Sequence, residues 1–324
     1  MTTTAEHLAP SLGRQLISAA VAAPSVHNTQ PWLFRVDGHR VHVFADATRQ
    51  LTAQDVDGRA MYMSCGAALL NVRLAIAHFG FSETTTVLPN SADLTHVATV
   101  DVRGPVKPTG MVDELFSAIP LRHTNRMPYE DRPVPPAVVA ALAEAAAQEG
   151  ATFYPVNDSA ERRRLVDLIH DADSSQSSDV LAENHQWTAV DATRPDGIPA
   201  ESLGPLPKQP STPYRDLAPG RTVSGRGFAV FEQDPTLGVL TTPEDDRHAW
   251  VIAGQALQRV LLATTVEGLV ATFANQPLEA PALRWLVRDP DQPIGYPQML
   301  FRIGYAPAAP ATPRRPIDDV ILST

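Results

Sequence analysis

The chain has 324 residues, 44% of them hydrophobic and 19% charged, enough to bury a large core in one large or two ordinary domains. Its formal net charge of -10 leaves no global attraction for nucleic acid or an anionic membrane, so neither is expected as a partner and any local cluster of arginines becomes informative. The single cysteine, Cys65, excludes an internal disulfide; the opening MTTTAEHLAP has no leader pattern and no later apolar run approaches a span of roughly 18 to 20 residues, so a cytoplasmic protein is expected.

In chain order, Leu12, Leu16, Ile17 and Ala20 space a helix over 11–23, which Pro24 stops because it lacks an amide hydrogen. A hairpin follows, WLFRV and RVHVFAD around the turn pair Asp37-Gly38. Apolar residues at spacings of three and four then predict a long helix near 59–79, capped by Gly80. A second long helix is predicted near 245–267, with Thr242 as its N-cap, Pro243 in its first position, Asp245 returning the capping bond and Gly268 ending it.

The two long helices align without a gap, RAMYMSCGAALLNVRLAIAHFGF (59–81) against RHAWVIAGQALQRVLLATTVEGL (247–269), and share Arg59/Arg247, Gly66/Gly254, Leu69/Leu257 and Gly80/Gly268. VHVF precedes the first and FAVF (228–231) the second as strand-like runs; HVATVDV and QMLFRIGY follow them. The expected architecture is α+β and internally duplicated, with halves 1–110 and 111–324. Between a helix near 159–171 and the strand near 227 lies a proline-rich insertion of about fifty residues, about 173–222. A lid is favoured over a disordered segment because Trp187, Tyr214 and Leu217 give it something to bury.

Familiar nucleotide, metalloprotease and hydrolase signatures are absent, and the histidines show no metal-ligand spacing, so no metal is expected. Four other segments stand out. APSVHNTQPW (23–32) offers Ser25, Asn28 and Gln30 to the edge of a flat heterocycle. RHTNR (122–126) sets two guanidinium groups and a hydroxyl at a spacing that suits a phosphate. TVEGL (265–269) places a glycine, Gly268, at the end of a helix, where it lets a backbone amide approach a ligand. PRRP (313–316) holds Arg314 and Arg315 between prolines. Taken singly, they also read as a polar loop, a solvated basic turn, a helix cap and a basic tail.

Taken together, the four segments resemble the FMN-dependent nitroreductase family, and the duplicated layout with its insertion resembles the Acg-type single chains that mimic the family's dimer. The resemblance implies a nitroreductase-like fold folded as a pseudo-dimer, hence a monomer. It implies that Arg122, Thr124 and Arg126, helped by Arg314 and Arg315, grip the phosphate and ribityl end of FMN. Pro24, Ser25, Val26 and Asn28 would contact its ring from the opposite half, and Glu267 and Gly268 would lie at the ring's reactive edge, with no other catalytic residue assigned. Each motif occurs once: residues 1–15 hold only Arg14, and the second half reads AAAQEGATFYPV where a second ring motif is expected. One FMN per chain is therefore expected. Two roles follow from the resemblance: an NAD(P)H-dependent oxidoreductase acting on a small electron acceptor such as a nitroaromatic or quinone, or an FMN storage protein whose lid closes the site.

Overall fold

A computed structural model describes residues 8–209, 212–288 and 295–323. Residues 1–7, on which the reading of the N-terminus rests, lie outside these, as do Pro210 and Ser211 within the insertion. The first half runs α1 (Pro10–Val21), β1 (Trp32–Asp37), β2 (Arg40–Ala45), α2 (Arg59–His78), β3 (Phe81–Val87) and β4 (His96–Pro105). The second opens with α3 (Gly110–Ala118), α4 (Pro136–Gln148), β5 (Thr152–Val156) and α5 (Ser159–Ser174). Its insertion contains α6 (Ser178–Trp187) and three short strands, β6 (Thr188–Val190), β7 (Ile198–Pro199) and β8 (Leu206–Pro207), and is followed by β9 (Phe228–Ala229). The chain then continues through β10 (Thr236–Thr242), α7 (Arg247–Val266), β11 (Val270–Phe273), α8 (Gln276–Glu279), α9 (Pro281–Arg284) and β12 (Tyr296–Gly304).

The two main sheets repeat one topology. The first is ordered β1-β2-β4-β3 and the second β5-β10-β12-β11, with every neighbouring pair antiparallel. In each, the long helix follows the second strand in sequence and packs on its own sheet. The central helices α2 and α7 then pack on each other, joining the halves.

Their crossing is set by the shared glycines. A Cβ on Gly66 would stand 2.2 Å from the carbonyl oxygen of Val251, and one on Gly254 would stand 2.0 Å from that of Met63. Val251 is to Gly254 in the ungapped alignment what Met63 is to Gly66, so the contact is its own mirror partner, as in a two-fold dimer interface. Tyr62 and Trp250, also matched in the alignment, meet with ring centroids 6.1 Å apart. Buried polar pairs pin the crossing further along: Gln258 donates to Asn71 at 2.8 Å, and Asn71 donates to the Ala19 carbonyl at 2.8 Å.

The start of α2 is held by Asp55, whose carboxylate accepts from the amides of Ala60 (2.8 Å) and Met61 (2.9 Å). Sixteen of the 20 residues of α2 are buried. This helix is long and apolar enough to pass as a membrane span, which the sequence reading did not anticipate, but its apolar surface is spent inside the protein.

Several expectations need correction. The N-cap of α7 is Asp246, which accepts from the Ala249 amide at 2.8 Å, rather than Thr242. Asp245 instead binds Arg284 and the Trp250 indole. The strand paired before α7 is Thr236–Thr242; FAVF supplies only two strand residues, on a small parallel bridge to Leu206 and Pro207. The boundary at 110/111 also fails to separate the cores. Leu115, Ala118 and Ile119 pack into the core of the first half. The C-terminal segment returns to β1, where Phe34 donates to the Val320 carbonyl and accepts from the Leu322 amide, both at 2.7 Å.

Replacing Gly66 or Gly254 by Ala is expected to lower stability by about 3 kcal/mol or more, because backbone rather than a flexible side chain must move. Gly110→Ala, with open space around the added carbon, should stay within about 0.5 kcal/mol of the parent. Urea denaturation of the three variants measures both.

Candidate functional site

The crossing of α2 and α7 leaves a cavity at the seam of the two halves, about 980 Å³ of atom-free space with the solvent at its mouth included. The first half lines it with Pro24, Ser25, Val26 and His27 and with the first turns of α2, including Arg59, Met63 and Ser64. The second half contributes Thr124, Arg126, Leu257 and the segment Thr272–Asn275 with Glu279. The insertion supplies Ile198 and the run Pro213–Leu217, of which Tyr214 and Leu217 are buried. Trp187 does not line the cavity; the guanidinium groups of Arg49 and Arg194 lie 5.4 and 5.5 Å from its ring centroid.

The turn that carries APSVHNTQPW is built by unusual backbone. His27, Asn28 and Gln30 have φ of 44°, 56° and 52°, the left-handed region that non-glycine residues adopt at a cost. Side chains hold it there. Ser25 Oγ accepts from the Gln30 amide at 2.9 Å, and Ser64 Oγ accepts from the Val26 amide at 3.2 Å. Asn28 donates to the carbonyls of Gly197 (2.9 Å) and Pro313 (3.1 Å), while its Oδ1 accepts from Arg314 at 3.1 Å. Gln30 donates to the Pro195 carbonyl at 2.8 Å and accepts from the Arg315 amide at 2.8 Å. Asn28 and Gln30 therefore tie the insertion and the C-terminal tail to the turn, and neither lines the cavity.

Arg122 and Arg314 converge beside the turn although 192 positions separate them, each donating to the Ala22 carbonyl, at 3.4 and 3.3 Å. Neither has an ion pair among the described residues, and the buried Nε of each has no partner. Burial, then the neighbouring Arg314, lowers the Arg122 pKa to about 9; burial lowers that of Arg314 to about 10. Two desolvated cations side by side without a carboxylate make an anion-binding arrangement. Arg126 lines the cavity nearby, its one hydrogen bond among the described residues going to the Ser202 carbonyl at 2.9 Å, and burial lowers its pKa to about 10.

Arg315 does not join this group. It donates to the Gln30 carbonyl at 3.1 Å and lies 3.8 Å from Asp46, fastening the tail. Glu267 and Gly268 are exposed at the end of α7 and do not line the cavity; Gly268, with φ of 70°, only turns the chain into β11. The segment that reaches the cavity from this side begins four residues later, at Thr272, in the second half of β11. Arg59, Thr272–Asn275 and Glu279 were missed in the sequence because nothing in their spacing marks them.

No protein-family model matches the chain. It is 34% identical over 319 residues to the Mycobacterium tuberculosis protein named "Putative NAD(P)H nitroreductase Rv3131", covering 95% of this chain and 90% of the relative. It is 31% identical over 330 residues to the protein of that organism named "Putative NAD(P)H nitroreductase acg", covering 95% and 94%. Among solved structures, a nitroreductase with bound FMN from Desulfitobacterium hafniense aligns over 65% of this chain and 98% of its own, at 16% identity and a TM-score of 0.42. The chain belongs to the nitroreductase family, in its Acg-type group.

Two buried groups near the cavity make stability depend on pH in opposite senses. Burial, then Arg215, lowers the His27 pKa from 6.5 to about 4, so the unfolded chain binds the extra proton first and stability is lost as pH falls from 6.5 to 4. Burial raises the Asp173 pKa from 3.8 to about 6, so its contribution is lost as pH rises through the same window. His27→Asn, which tolerates the left-handed turn, should therefore become more stable on acidification from pH 6.5 to 4.5 relative to the parent, by about 2 kcal/mol. Asp173→Asn should shift the other way. Urea titrations at both pH values measure the two slopes.

Proposed function

We propose that the seam cavity binds one FMN per chain and that the protein is an NAD(P)H-dependent oxidoreductase acting on a small acceptor of the nitroaromatic or quinone class. The observation that carries this reading is the pair of a buried Arg122 and a half-buried Arg314, unpaired by carboxylate, each with an orphaned Nε, behind the turn whose Pro24, Ser25 and Val26 line the cavity. A phosphate dianion would supply the missing charge and the missing acceptors. Family membership supports the same ligand.

On this reading Arg122 and Arg314 hold the phosphate, and Thr124 and Arg126 line the path from it into the cavity. Pro24, Ser25 and Val26 face the ring from the first half, backed by Ser64, while Thr272, Phe273 and Asn275 face it from the second. A bound flavin supplies two-electron acceptance and donation, so the protein is required to bind, orient and exclude water rather than to provide a nucleophile. The ratio of one follows from the unequal halves. Arg14 is exposed and paired with Asp318 at 2.6 Å, and AAAQEGATFYPV forms the end of α4 and β5 instead of a second ring turn.

The insertion motivates a second reading, FMN storage. Because Pro213–Leu217 forms one wall, a nicotinamide reaches the ring only if that run moves. Anaerobic addition of NADPH to the FMN-loaded protein separates the two: bleaching reversed by a nitroaromatic or quinone supports the oxidoreductase, and persistent colour supports storage.

Titration with FMN should saturate at one equivalent, and a ratio near two would overturn the single site. Arg122→Ala and Arg314→Ala should each weaken FMN binding by about 1.5 to 3 kcal/mol, roughly 10- to 150-fold in Kd. Arg122→Ala should leave the flavin-free protein at least as stable as the parent, because it removes a buried charge without a counter-ion. A lower melting temperature with unchanged FMN affinity would make Arg122 structural.

A further inference from the structure

A buried cation of the insertion reaches both halves of the chain across the cavity. Arg215, in the middle of the run Pro213–Leu217, places its guanidinium 2.6 Å from Glu279 of the second half and 3.2 Å from the Gln54 side chain of the first. Both partners of the ion pair are largely buried, their side chains 10% and 16% exposed, and both line the cavity. The other ion pairs of this stretch do not reach across the cavity. Arg226 binds Asp216 within the insertion itself, and Arg49 and Arg194 bind Asp196 at its outer edge. Asp173 adds a second carboxyl near Arg215, linked to Gln276 at 3.2 Å, and Gln276 in turn donates to the Tyr214 carbonyl at 3.1 Å.

We propose that the Arg215–Glu279 pair, steadied by Gln54, is the latch that governs access to the cavity from the insertion side. This rests on the FMN reading for its consequence and on the contacts alone for its existence. Lifting Pro213–Leu217 separates the pair, and each charge then regains water. Removing either partner leaves the other buried without its hydrogen-bonded counter-ion, so both single variants favour the open arrangement. The run is also held through the Tyr214 carbonyl by Gln276 and through the Thr212 carbonyl by His170, while Asn28 to Gly197, Gln30 to Pro195 and Glu183 to the amides of Ala53 and Gln54 hold the rest of the insertion; Arg215 is the charged tie that joins the run to both halves. Arg215 is thus a residue that sets which molecules reach the cavity, and the balance between turnover and retention depends on it.

The test uses the full chain and the variants Arg215→Ala, Glu279→Gln, Arg215→Ala/Glu279→Ala and Arg215→Lys. Amide hydrogen exchange over 212–220, measured in the flavin-free protein, should be at least tenfold faster in the first three, with the double variant no faster than Arg215→Ala, and Arg215→Lys should recover most of the protection. In the FMN-loaded protein the same variants should release FMN and bleach with NADPH at least tenfold faster. Exchange within twofold of the parent overturns the latch, and faster exchange with unchanged FMN release overturns its control of access. If the parent binds no FMN, the functional reading fails while the exchange measurement still decides the latch.

Discussion

Everything in this protein hangs on how closely α2 and α7 approach. Two glycines at matched positions let each helix lay its backbone against the other, with no room for a methyl group on either side. That contact brings two similar α+β halves together about an approximate two-fold axis, and the seam between their sheets is where the cavity opens. A looser crossing would widen the seam and separate the walls that Arg59 and Met63 on one side and Leu257 on the other provide.

The two halves repeat one strand order, yet their contributions to the site are unequal. The strained turn at His27–Gln30, the cation pair Arg122 and Arg314 and the insertion all gather at a single site. Their interdependence is physical. The turn holds its left-handed residues only because Asn28 and Gln30 are saturated by backbone from the insertion and the tail. The tail can place Arg314 beside Arg122 only because its last residues are bound along β1. Strain, desolvated charge and a covering segment are therefore parts of one structure, stabilised by the larger cores around it.

The same dependence explains why site motifs were easier to find than to interpret. Ser25, Asn28 and Gln30 stood out as polar residues at a helix–strand junction, but their side chains serve the turn itself, leaving Pro24–Val26 to line the cavity. Arg314 and Arg315 looked interchangeable between their prolines, and adjacent positions on an extended segment point apart: one meets Arg122, the other fastens to Gln30 and Asp46. Glu267 and Gly268 lie four residues too early, since it is the second half of β11, Thr272 and Phe273, that reaches the seam.

The amino-acid pattern alone determined the two long helices to within two residues at each end, the α+β class, the repeat and the segments that gather at the site. Those are local or periodic properties: apolar spacing, a proline stop, a turn pair and an ungapped match require no knowledge of distant contacts. The tertiary structure decided which of those residues face the cavity and which support it, that the tail belongs with the first sheet, and that Tyr214 and Arg215 line the cavity. Each depends on pairings between residues far apart in sequence, Arg122 with Arg314 and Arg215 with Glu279 and Gln54. Nothing local marks such pairs, because they exist only after the glycine crossing has fixed where the two halves stand.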